Sequence, residues 1–179
     1  MAEATVTLAG GNAIRQMADK LRRIGEREAR EAASRAVNRG GDMAKTAMTR
    51  ELVRATGINY QKVKTVMTTR RSLPATLSYT VEGRGNETNV GLFKARQVKR
   101  GASAAPWNKR KIFRKSFIVP AFGGKVYVRR GAERFPLKGL FGPNIAREMR
   151  KGEPLNAWDR TAQNVTERRL LHELGRLFK

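Results

Sequence analysis

Between positions 94 and 115 the chain places Lys94, Arg96, Lys99, Arg100, Lys109, Arg110, Lys111, Arg114 and Lys115 with no acid among them. The chemistry open to such a run is charge-assisted hydrogen bonding to phosphate or carboxylate oxygens. Extended to Arg130, the run holds twelve basic residues and still no acid. Lysine and arginine that track a phosphate backbone fix position without reading sequence. Trp107 and Phe113 stand inside the run, and aromatic faces stack on exposed bases. Two such rings are few, however, and Phe113 also suits a core position. The plainer role for the segment is a solvated loop that keeps the chain soluble. No recognition helix or zinc-finger spacing accompanies it, so base-specific readout is not expected.

The whole chain shares this bias. It has 179 residues, with 38 Lys and Arg against 15 Asp and Glu, a net charge of +23 and a pI near 11.5. Such a charge repels itself unless an anionic partner or salt screens it. Nucleic acid is the first candidate and an acidic protein surface the second. No apolar run approaches the roughly 20 residues of a membrane span, and MAEATVTLAGGNAIRQ lacks the basic start and apolar stretch of a signal peptide. A membrane partner is not expected.

Other chemistry finds little support. Cysteine is absent, which removes disulfides and thiolate metal sites. The one histidine, His172, falls in a helical pattern and reads as a surface or interface residue. The three aspartates, Asp19, Asp42 and Asp159, lie in separate helical segments, a poor basis for a metal-dependent nuclease. There is no glycine-rich loop ending in Lys-Ser/Thr, Gly83-Arg84-Gly85 lacks a dinucleotide-site context, and Ser116 lacks a nucleophile elbow. No enzyme activity, cofactor or metal is expected.

The elements that must carry the basic run read as α+β: long N-terminal helices packed with a small antiparallel β-sheet, and a C-terminal helix. Residues 1–179 read as one domain with a basic loop at about 94–115. Residues 5–9 form a short strand, and Asn12 caps a helix with a stripe of Ile14, Ala18, Leu21, Gly25, Ala29, Ala32 and Ala36. Small residues along that stripe allow another backbone to approach closely. The opposite face carries Arg22, Arg23, Arg27, Arg30 and Arg35, with Glu26–Arg30 and Glu31–Arg35 as i,i+4 pairs. Gly40-Gly41 costs about 2 kcal/mol in a helix interior and marks a kink or a break, with the kink favoured. The stripe resumes at Met43, Ala44, Ala47, Met48 and Leu52, and Gly57 closes the helix.

Asn59 begins a short helix with Val63, Val66 and Met67 inward. Residues 75–82 alternate as a strand. Gly83, Gly85 and Asn86 turn it into a returning strand at 88–93. Residues 116–122 form a strand ended at Pro120, and Gly123-Gly124 turns it into KVYVRR. The two hairpins make one small sheet. A short helix follows Pro143, and Pro154 opens a last helix with Leu155, Trp158, Ala162, Val165, Arg169 and His172 on one stripe.

Residues 126–145, VYVRRGAERFPLKGLFGPNI, combine stiff and turn-forming residues beside positive charge. Proline fixes its φ and glycine permits unusual ones, so together they specify a rigid corner.

The ordered set of these features resembles the minor tail protein Z family of long-tailed phages and prophages. It comprises a helix with AASRAVNRGGDMAKTAMTREL, then TGI, GLFKARQVKRG, SFIV, KVYVRRG and RFPLKGLFGPNI, over roughly residues 20–150. The resemblance implies a structural virion protein that completes the head-proximal end of the tail, a ring subunit around the DNA path. Arg130, Gly131, Arg134, Pro136, Gly142 and Pro143 then carry the family-like pattern, as an intersubunit corner or a contact to the next ring. Implied partners are further copies in a sixfold ring, and tail terminator, tail tube, tape measure or head-connector proteins. Double-stranded DNA in the channel joins them without sequence preference, and no catalytic residue transfers. The implied location is the virion tail or neck, with the host cytoplasm during assembly. Six copies would carry roughly +138, at +23 each, which lowers the cost of holding DNA in a narrow channel. The competing expectation is a free-standing, sequence-independent nucleic-acid-binding protein.

Overall fold

A computed structural model describes residues 2–9 and 25–177. The expected cap at Asn12 and the positions Ile14, Ala18, Asp19, Leu21, Arg22 and Arg23 lie outside them. The fold is α+β, with a long N-terminal helix, small antiparallel sheets and a C-terminal helix.

The scaffold is a pair of long helices. Helix α1 spans Glu26–Thr56 and α4 spans Gly152–Leu177. Arg35 meets Glu173 while Gly40 meets Thr166, so the two run antiparallel. Ala29, Ala32, Ala33 and Ala36 are buried against Leu170 and Leu174. The alanine stripe therefore does what its small volume permits: it brings two backbones together. Gly25 does not join the stripe but caps the helix from outside, at φ 21. Of the two expected arginine pairs, Glu26–Arg30 forms at 3.0 Å. Arg35 instead reaches across to Glu173 at 2.8 Å, and Glu31 takes Arg27 at 3.2 Å.

Gly40-Gly41 marks no break, and α1 is one uninterrupted helix. The glycines are required by neighbours. A β-carbon on Gly40 would collide with the Thr166 side chain, and one on Gly41 with the Tyr79 ring. Tyr79 and Trp158 pack with ring centroids 6.1 Å apart, at the centre of a core that includes Met48, Leu52, Val63, Val81 and Met149. Losing a buried Trp of this kind typically costs about 3–5 kcal/mol. Gly57, at φ 74, caps α1 as expected.

The chain forms three three-stranded antiparallel sheets, where one was expected, and the first of them packs on α1 through β3. The first contains β1 (Ala2–Ala9), β2 (Met67–Arg70) and β3 (Ser78–Gly85), with β3 central. Helix α2, Tyr60–Thr65, precedes β2 and is capped by Asn59 accepting from the Gln61 amide. Met67 is buried, as anticipated, but from a strand. Gly83 and Gly85 are not turn residues; they extend β3, and Gly83 leaves room for the Met149 sulfur.

Residues 88–93 are not a returning strand. Asn89 caps a single 3-10 turn at Val90–Leu92 and bridges to Phe141. Its buried amide also accepts from the Val126 N–H at 2.8 Å and donates to the Val126 carbonyl at 3.2 Å.

The third sheet has β7 (Ser116–Val119), β8 (Lys125–Arg129) and β9 (Leu137–Gly139). The turn into β8 uses left-handed Gly123 and Gly124, at φ 68 and 71. Helix α3, Ile145–Glu148, is capped by Asn144 and leads into α4.

Candidate nucleic-acid interface

The basic run at 94–115 is a sheet, not a loop. Its strands are β4 (Arg96–Val98), β5 (Gly101–Ala104) and β6 (Lys111–Arg114). Central β5 reads GASA and all four residues are buried. Its side chains are small enough to pack on both faces, and Ala102 and Ala104 join the main core. At Gly101, with φ 144, a β-carbon would overlap the Phe113 carbonyl. Polar side chains bind this sheet to the third. The Ser116 hydroxyl donates to the Phe113 carbonyl at 2.6 Å and accepts from the Ala102 N–H at 3.0 Å. Gln97 accepts from the Ile118 N–H at 3.0 Å.

Register separates the faces. Gln97, Ala102 and Phe113 share a row, of which Ala102 and Phe113 pack on the core while Gln97 stays exposed. Arg96, Val98, Ile112 and Arg114 share the outward face with Ser103 and Gly101. Ile112 is half exposed.

All nine predicted basic residues, Lys94, Arg96, Lys99, Arg100, Lys109, Arg110, Lys111, Arg114 and Lys115, are exposed. Among the described residues, none from Lys94 to Arg130 is ion-paired. The helical pair differs, because Arg27, Arg30, Arg35 and Arg54 each hold a glutamate. Charge is segregated accordingly. Residues 57–151 contain 22 Lys and Arg against 4 Asp and Glu, or +18 of the total +23, whereas α1 has 7 against 5.

The nine cations are not equivalent. Arg110 donates to the Ser103 hydroxyl at 3.2 Å and to the Lys94 carbonyl at 3.3 Å, so its guanidinium staples the sheet. Lys94 and Lys115 sit at positive φ, 51 and 56. Lys115 is the one-residue link between β6 and β7 and brings the two sheets together. Trp107 is partly exposed, and its indole N–H points to Glu148 at 3.5 Å. Phe113 is occupied with the core and is not free to stack on a base.

The predicted corner divides in two. Gly142 and Pro143 are buried inside the chain's own fold. The Gly142 N–H donates to the Thr88 carbonyl at 2.8 Å and the Thr88 N–H to the Pro143 carbonyl at 3.2 Å. That closure, with Pro106 and Phe93 against Gly142, accounts for both residues within the chain and leaves neither available at its surface. Arg130, Gly131, Arg134 and Pro136 are exposed, and the Arg134 guanidinium lies 5.6 Å from the Phe135 ring centre.

Arg130 and Gly131 join Lys115, Phe117 and Arg129 around an open groove of about 590 Å3. Phe117 and Arg129 were not singled out from the sequence. The signal was present in the Gly123-Gly124 turn, which sets Phe117 opposite Tyr127 and Ser116 opposite Val128. Strand alternation then places Phe117, Tyr127 and Arg129 on one face, and Lys115, just before β7 at φ 56, borders the same groove.

His172 is exposed, with Nδ1 3.8 Å from Glu173. Asp42 accepts from the Tyr79 hydroxyl at 2.7 Å and pairs with Arg71, and Asp159 is exposed in α4. Among the described residues no three of His, Asp and Glu gather as metal ligands, and no helix is long and apolar enough to cross a membrane. Comparison with known proteins finds no matching family model, no matching curated protein and no matching solved structure.

Proposed function

We propose that the chain is a structural virion protein of a long-tailed phage or prophage. In this reading it is a ring subunit at the head-proximal end of the tail, supporting head–tail joining and DNA passage. The observation that carries the proposal is the division of charge. The α1/α4 pair is nearly neutral and four of its arginines hold glutamates, while the sheets from Lys94 to Arg130 present unpaired cations of one sign. A subunit built this way can pack beside copies of itself through one side and meet a polyanion with the other. The ordered sequence likeness to minor tail protein Z supports the choice of a virion setting. The role is mechanical and electrostatic, with no turnover.

The test is a null mutation in the genome that encodes the chain, scored by electron microscopy and plating. The expected result is DNA-filled heads and tails of normal length that fail to form infectious particles. Normal infectivity would remove the virion role. If that outcome came with micromolar, steeply salt-dependent DNA binding by the purified chain, a free-standing nucleic-acid-binding protein would remain.

A further inference from the structure

We infer that the groove between the β6–β7 link and the end of β8 holds the phosphodiester backbone of duplex DNA, through Lys115, Arg129 and Arg130 beside the Phe117 ring. The inference deepens the polyanion-facing reading above and rests on it, but it does not require the virion setting.

The geometry begins with register. Ser116 pairs with Val128, so Arg129 follows on the same face as Phe117 and Tyr127, and Lys115, the residue before Ser116, lines the groove with it. The Arg129 guanidinium sits 5.6 Å from the Phe117 ring centre. Stacking on an aromatic face orders a guanidinium while its N–H edges stay free for bidentate contact with phosphate oxygens. Lys115, Arg129 and Arg130 are exposed and have no carboxylate partner among the described residues. Gly131 closes the groove without a side chain, and a β-carbon there would meet nothing within 4 Å.

Two features favour a polynucleotide over other anions. Beyond the groove, Lys125 shares the hairpin face, four residues from Arg129, which places the cations about 13 Å apart along the strand. That spans about four base-pair rises of 3.4 Å, a line of charge rather than an enclosure around one small anion. The surrounding segment from Lys94 to Arg130 contains no acid. A folded acidic protein surface mixes signs and is met by mixed charge, whereas a nucleic-acid backbone is negative throughout.

The experiment measures binding of a fluorescent 30-base-pair duplex by the purified full chain across a series of chloride concentrations. The triple variant Lys115→Gln/Arg129→Gln/Arg130→Gln is compared with Lys62→Gln/Lys64→Gln/Arg150→Gln, an equal charge loss at exposed positions elsewhere. The groove variant is expected to bind at least tenfold more weakly at about 0.1 M salt and to lower the log–log salt slope by about 2 to 3. The control is expected to weaken binding less than threefold. Equal loss in both variants, or no loss in either, overturns the proposal. Should the triple variant lose its circular dichroism signature, Arg130→Gln alone carries the test, with an expected slope change of about one. Two competitors identify the ligand. If inorganic phosphate displaces the duplex better than chloride of equal ionic strength, the groove is a free-anion site and the proposal fails. If polyglutamate binds in preference to duplex, and this preference is lost in the groove variant, the partner is an acidic protein and the proposal fails. Because the probe is naked DNA, loss of the virion role by genetics leaves this result standing, and failure here leaves the virion role open to its own test.

Discussion

The Tyr79 ring occupies the space that a β-carbon on Gly41 would need, which is why a 31-residue helix tolerates two adjacent glycines at its middle. Restoring the methyl group gains helix propensity of about 1 kcal/mol but overpacks the core centre. Gly41→Ala should therefore destabilise the fold by about 1–3 kcal/mol in urea titrations. A stabilised variant would show that the ring can move aside.

Tyr79 also links the core to α1 through its hydroxyl, which donates to Asp42 at 2.7 Å. Burial first, and the Asp42 hydrogen bond second, push the phenol well above its ordinary range. The folded state thus keeps a proton that the unfolded chain releases near pH 10, and stability should fall as pH rises above about 10. Tyr79→Phe should cost about 1 kcal/mol at neutral pH and flatten that alkaline decline. Melting temperatures from pH 8 to 11.5 check both effects, and an unchanged decline would assign it to other groups.

Arg35 and Glu173 tie α1 to α4 at 2.8 Å. The Arg35 hydrogen bond holds the Glu173 carboxyl below its ordinary pKa, against the opposing effect of burial. A depressed carboxylate stabilises the fold above its unfolded value near 4.3 and loses that contribution as pH falls further. Glu173→Gln should remove this part of the acid sensitivity below about pH 4.5. A double-mutant cycle with Arg35→Gln should give a coupling of about 1 kcal/mol or less, because the arginine is half exposed.

The basic sheet should separate structure from charge. Arg110→Gln removes donors to Ser103 and Lys94 and should cost about 1 kcal/mol. Lys109→Gln/Lys111→Gln should change stability by less than about 0.5 kcal/mol while weakening duplex binding. Equal destabilisation by both would mean that the lysines also hold the sheet.

Long periodic elements were legible in the sequence because their burial follows one period. The alanines of α1, the Gly57 cap, the Gly123-Gly124 turn and the α4 stripe through Trp158, Ala162 and Val165 lie where spacing put them, whereas towards its end the buried row of α4 runs through Leu170 and Leu174 and leaves His172 exposed. The basic sheet was not legible, for three physical reasons. Its strands are three or four residues long, and its central strand GASA is buried on both faces, so no alternation shows. Its register also depends on Gln97, Ser116 and Arg110, side chains whose partners are remote in sequence. Gly83 misled for a related reason, since its lack of a side chain serves Met149 rather than a turn. The cations of the candidate site were visible at once, but Phe117 and Arg129 became a pair only through hairpin register.

The central claim is that the unpaired cations between Lys94 and Arg130 face a polyanion while the helices face protein. A symmetric cryo-EM reconstruction of the head-proximal tail end in finished particles tests it most directly. The account predicts a ring of this chain whose strands from Arg96 to Arg129 line the DNA channel, with α1 and α4 in the wall behind them. A ring with those strands turned to the outside solvent, or finished particles without the chain, would contradict it.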